Sequence, residues 1–174
     1  ATQNPVDQDG TYPLPEAQMD RFLFKTVLTY PTKDEEKQII QRYQKGFPVI
    51  NDSILDIEYI SNIQHQANKI YIDEKVSEYV IRLIDATRNP ENYDLDNLKP
   101  FIRCGASPRA TLAFIAASKA YAFIQNRNYV IPEDIKYLAY DVLRHRLILT
   151  FAAEAEGMTA DKIIETILGS VEVP

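Results

Sequence analysis

The sequence predicts a mainly α protein, a helical bundle preceded by a short strand-and-loop segment. Helical apolar spacing recurs from Tyr30 to the C-terminus, and most of these segments open on a Thr, Asp or Ser suited to an N-cap. Proline and glycine punctuation, by contrast, breaks up the first fifteen positions. A chain of 174 residues, 45% hydrophobic and 25% charged, supports one substantial core.

The elements follow in order. "ATQNP" reads as a strand end entering a loop, because Pro5 pushes Asn4 away from helical angles. "VDQDGTYPLPEAQ" is loop, "MDRF" a short turn, and "FLFKTVLTY" (22–30), rich in aromatic and β-branched residues, a strand. Two such pieces cannot form a stable sheet alone, so their partners must come from elsewhere. Thr32 and Glu35 have capping-box spacing, with Gly46 as the stop. Asp56 opens a helix with Ile60, Ile63 and Ala67 on one face, and Asp73 another with Val76, Val80, Leu83, Ile84 and Thr87. "ENYDLDNLKPFIRCG" is a polar loop. Ser107 then caps a helix with Pro108 at its first position; Leu112, Phe114, Ile115, Ala116, Ala120, Phe123 and Ile124 make it apolar on most sides, as a central buried helix would be. Pro132, with Glu133 and Asp134, begins a helix through Ile135, Leu138, Ala139, Val142 and Leu143, and Thr159 caps a last one with Ile163, Ile164, Ile167 and Leu168.

Composition narrows the function. A formal net charge of −6 argues against a nucleic-acid partner held by phosphate neutralisation. Cys104 is the only cysteine, which excludes an intrachain disulfide and a thiolate metal cluster and makes a reducing, cytoplasmic compartment the expectation. No apolar run approaches the roughly 20 residues of a membrane helix, so no membrane insertion is expected. The two histidines, His65 and His145, have no ligand spacing around them, which leaves no metal site. His145, between Arg144 and Arg146 at a helix end, is better explained as a dipole-compatible residue than as a general base.

Phosphate chemistry fares better. Arg109 lies in the first turn of the Pro108 helix, at the positive end of its dipole, where an anion is favoured and a cation is not. An arginine there can hold an anion bidentately together with the helix N–H groups; it can equally be a solvated arginine with its stem on apolar surface, and the residues alone leave both open. Arg21, where a loop meets the strand, could pair with Asp20 or Glu16; Asn4 could orient a water or cap a turn.

Taken in order, "ATQNP", "GTYPLPEAQMDRF" and "FIRCGASPRATLAFIAASKAYAFIQNRNYVIPEDIKYLAYDVLRHRLILT" closely resemble successive segments of the MoxR family of AAA+ ATPases, over nearly the whole chain. The resemblance implies that residues 1–30 are the C-terminal remnant of the α/β ATPase core and residues 31–174 the helical lid domain, the fragment beginning at the end of the sensor 1 strand. It implies that Asn4 is sensor 1, which places the attacking water, and Arg21 the arginine finger offered to ATP on the neighbouring subunit. Arg109 would be sensor 2, carrying lid position to the ATP phosphate. Implied partners are other copies in a ring, a hexamer by family expectation, and client proteins, including those with von Willebrand factor A domains, which ATP hydrolysis would remodel or mature. ATP and Mg²⁺ are the implied cofactors of the full-length protein. The sequence itself holds no G-x-x-x-x-G-K-[ST] loop, so the fragment alone is expected neither to bind ATP tightly nor to hydrolyse it. The rival readings are a non-catalytic helical interaction domain and a related AAA+ motor of the chelatase or helicase type, of which the acidic charge weakens the helicase version.

Overall fold

A computed structural model describes residues 1–3, 14–46 and 55–174. Within these the protein is mainly helical. Helix α1 (Glu16–Met19) is one turn long, and α2 (Lys33–Lys45) and α3 (Ile57–Asn68) follow. Next come α4 (Glu74–Arg88), α5 (Pro108–Ile124), α6 (Pro132–Leu143), α7 (Phe151–Ala155) and α8 (Ala160–Ser170). Two short strands, β1 (Ile102–Cys104) and β2 (Ile148–Leu149), pair antiparallel, with Ile102 opposite Leu149 and Cys104 opposite Ile148.

The helix starts are set by local chemistry. Thr32 Oγ1 accepts from the Glu35 N–H while the Glu35 carboxylate accepts from the Thr32 N–H, a complete capping box, and Gly46 ends the helix at φ 80°, where a Cβ would be strained. Asp56, Asp73, Ser107 and Thr159 each accept an N–H of the first turn of the helix they precede. At α6 the Asp134 carboxylate accepts the Ile131 N–H at 2.9 Å and is gripped by both terminal nitrogens of Arg127.

The core is built from α4, α5, α6 and α8. Tyr79, Val80 and Leu83 of α4 meet Phe114 of α5, Ile135 and Leu143 of α6, and Ile163, Ile164 and Ile167 of α8, all of them essentially without solvent exposure. Burying each such side chain is worth about 1.5–3 kcal/mol, which makes this four-helix contact the main source of stability. Outside it, every residue of α2 is exposed, including Ile39, Ile40 and Tyr43.

Three expectations need correction. Residues 22–30 form no strand: the segment pairs with no strand among the described residues, and the carbonyls of Phe22, Leu23 and Lys25 are taken up by side chains just after α6, as described below. The supposed polar loop 91–105 contains two short 3-10 helices, Pro90–Tyr93 and Asp96–Phe101, and β1; the Leu95 and Leu98 side chains, both buried, pin this stretch to the core. Helix α5 is not sheathed all round. Its small residues Ala110, Ala113, Ala117 and Ala122 face the core with Phe114, whereas Leu112 and Ile124 are 69% and 70% exposed. Of the expected strand end at residues 1–5, residues 1–3 have no regular structure and Asn4 and Pro5 lie outside the described residues.

Candidate functional site

The start of α5 is held from below by α4. Thr87, in the last turn of α4, donates its buried hydroxyl to the Ile84 carbonyl at 2.6 Å and accepts the Ala106 N–H at 2.9 Å. Arg88 Nε donates to the Ala106 carbonyl at 2.7 Å. These bonds draw the two backbones so close that a Cβ on Gly105 would lie 2.4 Å from the Thr87 carbonyl oxygen; glycine is required here by contact and not by φ. The β1–β2 pairing fastens the same loop to the chain after α6. Ser107 and Arg109 therefore start from a rigid base.

On that base sits Asp20, at the end of α1. Ser107 Oγ accepts the Arg109 N–H at 3.2 Å and donates to the Asp20 carboxylate, 2.9 and 3.0 Å from its two oxygens. Arg109 Nη1 donates to Asp20 Oδ2 at 3.0 Å, and Arg146 Nε to Asp20 Oδ1 at 3.2 Å. Burial pushes the Asp20 carboxyl up, but the hydrogen bonds from Ser107 and Arg109 and the charges of Arg146 and Arg109 outweigh it and hold the group below its ordinary value of 3.8. The anion that the α5 N-terminus favours is thus supplied, among the described residues, by the protein's own carboxylate.

Arg146 is the residue the sequence did not single out. Its side chain is 2% exposed, and beyond Asp20 Oδ1 it donates to the backbone carbonyls of Asp20, Phe22, Leu23 and Val142. A guanidinium has five N–H donors, and five acceptors surround this one. Its neighbours act on the same segment: Arg144 Nη1 donates to the Lys25 carbonyl at 2.9 Å while its other nitrogens grip Asp161, and His145 Nε2 donates to the Phe22 carbonyl at 3.0 Å. The Lys25 N–H in turn donates to the Asp141 carbonyl. Residues 20–25 are strapped to the end of α6 by three consecutive side chains, so carbonyls that a sheet would pair are already used.

This arrangement corrects the reading of His145. Burial lowers its pKa, against a smaller rise from the Phe22 carbonyl, so the ring is neutral near pH 7 and serves as a hydrogen-bond donor to the strap, not as a cation for the helix dipole.

Arg21 follows Asp20 in the chain, but its side chain takes no part in this cluster. Glu16 pairs with Arg103, and Asp20 with Arg109 and Arg146, so neither acidic residue suggested as a partner of Arg21 takes it. The Arg21 side chain is exposed and has no partner among the described residues, although its backbone is held by a bond from its N–H to the Gln18 carbonyl. Arg109 is also accessible, its side chain 59% exposed, with one nitrogen bonded to Asp20 and the rest of its fork unpartnered among the described residues. Two guanidiniums on one carboxylate leave a net charge of +1. That donor set suits a phosphate oxygen. Asn4 lies outside the described residues. Among the described residues no group of three acidic, histidine or cysteine side chains could hold a metal ion, and no helix is long and apolar enough to cross a membrane.

Comparison with known proteins adds the following. Residues 97–167 match the AAA lid domain, and residues 1–24 the ATPase family associated with various cellular activities (AAA). The whole chain aligns at 42% identity with 46% of Chaperone MoxR1 of Mycobacterium tuberculosis, at 38% with 52% of the uncharacterized protein YeaC of Bacillus subtilis, and at 25% with 55% of Protein MoxR of Paracoccus denitrificans. The crystal structure of a protein from Cytophaga hutchinsonii, provisionally described as an ATPase, superimposes on 99% of the chain with a TM-score of 0.92 at 45% identity, covering 52% of that protein. The chain spans about half the length of the curated relatives it matches.

Proposed function

The chain belongs to the MoxR family of AAA+ ATPases, and on that premise we propose that residues 1–30 complete an ATPase core while residues 31–174 form its lid. In this reading the full protein couples ATP hydrolysis, in a ring of its own copies, to the remodelling or maturation of client proteins. Chaperone MoxR1 is the named precedent for the chaperone activity. The hexamer, the von Willebrand factor A clients and the inactivity of this chain alone belong to the same proposal. The phosphate-binding loop and the Mg²⁺ ligands would be supplied by other parts of the full-length protein.

Arg109 is the sensor 2 residue in this proposal, Arg21 the arginine finger and Asn4 sensor 1. The observation that carries the reading is the contrast around Asp20: Arg146 is consumed by the fold, while Arg109 and Arg21 keep exposed guanidiniums on backbones fixed by α4 and by the strap. A fixed base with a free donor suits stabilisation of charge that develops on a neighbouring phosphate, because no reorganisation is then needed at the moment of reaction. When bound, ATP with Mg²⁺ supplies the phosphoryl group; Arg109 would hold one of its phosphate oxygens within the subunit or across the interface, and Arg21 would be presented to the adjacent copy. Removing an arginine finger lowers turnover by roughly 10³–10⁵. Arg21→Ala in the full-length protein should therefore abolish measurable ATP turnover with nucleotide affinity retained, and unchanged turnover removes the finger assignment.

A further inference from the structure

We propose that Asp20 is a positioning residue that couples Arg109 to Arg21: one carboxylate ties the accessible arginine of the lid to the turn that carries the other, and an anion taken up by Arg109 competes with it. The proposal rests on reading Arg109 as a phosphate ligand. Asp20 is joined directly to Arg21 in the chain, so whatever holds its carboxylate also holds that turn.

The three donors on the carboxylate are unequal. Arg146 is enclosed and spends every donor on the strap, and Ser107 is fixed by its capping bond, so neither is free to leave. Arg109 reaches Asp20 from an exposed position through a single nitrogen, which makes it the exchangeable member. A polyphosphate approaching Arg109 meets a carboxylate already on that guanidinium, and like charge raises the cost of binding. Once Arg109 turns to the anion, Asp20 keeps Arg146 and Ser107 but loses one of its three donors, and the Arg21 turn loosens by one contact without coming away. The lid site and the finger are linked in this way through two side chains, with no movement of α5 or α6 required.

The test titrates inorganic tripolyphosphate into the 174-residue chain by calorimetry, as wild type, Asp20→Asn, Arg109→Ala and the double variant, and follows amide hydrogen exchange of residues 19–23 with and without the anion. Asp20→Asn should bind roughly fivefold more tightly, the size of an exposed ion pair lost from competition. Arg109→Ala should bind at least about tenfold more weakly, as loss of a charge-assisted bond implies, and Asp20→Asn should add nothing in its background. In the wild type the anion should speed exchange at the Arg21 and Phe22 amides, and in Asp20→Asn it should not. The wild-type exchange measurement needs no variant and decides the matter even if Asp20→Asn does not fold. Weakening by Arg109→Ala with Asp20→Asn equal to wild type, or exchange at residues 19–23 indifferent to the anion, overturns the coupling and leaves Arg109 as a phosphate ligand. Binding that Arg109→Ala does not change, or no binding by any chain at millimolar anion, overturns both.

Discussion

The end of α6 and the start of α5 each deliver an arginine to Asp20, and they deliver it for different purposes. Arg146 comes from the α6 end with its stem enclosed, and its five donors meet one carboxylate oxygen and four backbone carbonyls. Arg109 comes from the first turn of α5 with most of its side chain in solvent and one bond made. The same functional group is thus part of the fold in one place and available to a ligand in the other. What separates them is desolvation: an enclosed guanidinium must have every donor paired, whereas an exposed one can leave its partner for another anion at little cost.

That contrast can be broken most severely at Arg146. Arg146→Ala leaves Asp20 with half its countercharge, strands the carbonyls of Asp20 and Leu23 and leaves that of Phe22 to His145 alone, so a loss on the order of 2–4 kcal/mol is expected in equilibrium denaturation, with residues 20–25 becoming protease-sensitive. A loss under about 1 kcal/mol would mean that water replaces the strap without penalty. Gly105→Ala comes next, because the new methyl group meets a backbone oxygen that cannot move without disturbing the Thr87 and Arg88 bonds; roughly 1–3 kcal/mol should be lost by the same measurement.

Acid should act on the strap in two stages, both with the same sign. The folded pKa of His145 is depressed, so below its ordinary value of 6.5 the unfolded chain takes up a proton that the folded chain refuses, and stability falls as pH drops through that range. The folded pKa of Asp20 is also depressed, so its contribution is present above 3.8 and is lost as pH falls from there through the folded value. Melting temperature against pH should therefore stay level above neutrality and decline in two steps below it, and His145→Gln should remove the first step only. The smallest effect on stability belongs to Arg109→Ala, which should cost under about 1 kcal/mol because the pair it breaks is exposed on the arginine side.

These differences also explain what could be read from sequence. The caps Thr32, Asp56, Asp73, Ser107 and Thr159 were legible because a cap acts over two or three residues, and the α4, α6 and α8 faces because their apolar spacing is local. The family was legible because motifs lie in order along the chain. The Asp20 cluster was not, since its bonds span 87 to 126 positions and no periodicity records them; the only hint was the Arg-His-Arg run at 144–146, which spacing alone assigns to a helix end. Residues 22–30 misled for a related reason. Aromatic and β-branched residues mark segments able to form strands, but whether a strand or three side chains pair the carbonyls is decided at a distance. Leu112 and Ile124 are apolar residues whose exposure no local pattern could foretell.

The division of labour between the two arginines has a direct measurement. In the full-length protein, ATP turnover and the melting curve should be recorded together for Arg109→Ala. If Arg109 serves the nucleotide and Arg146 the fold, turnover falls at least about tenfold, the loss of one charge-assisted contact to the reacting phosphate, while the melting temperature stays near that of the wild type. Full turnover, or a loss of turnover matched by a loss of stability as large as that of Arg146→Ala, would contradict the account.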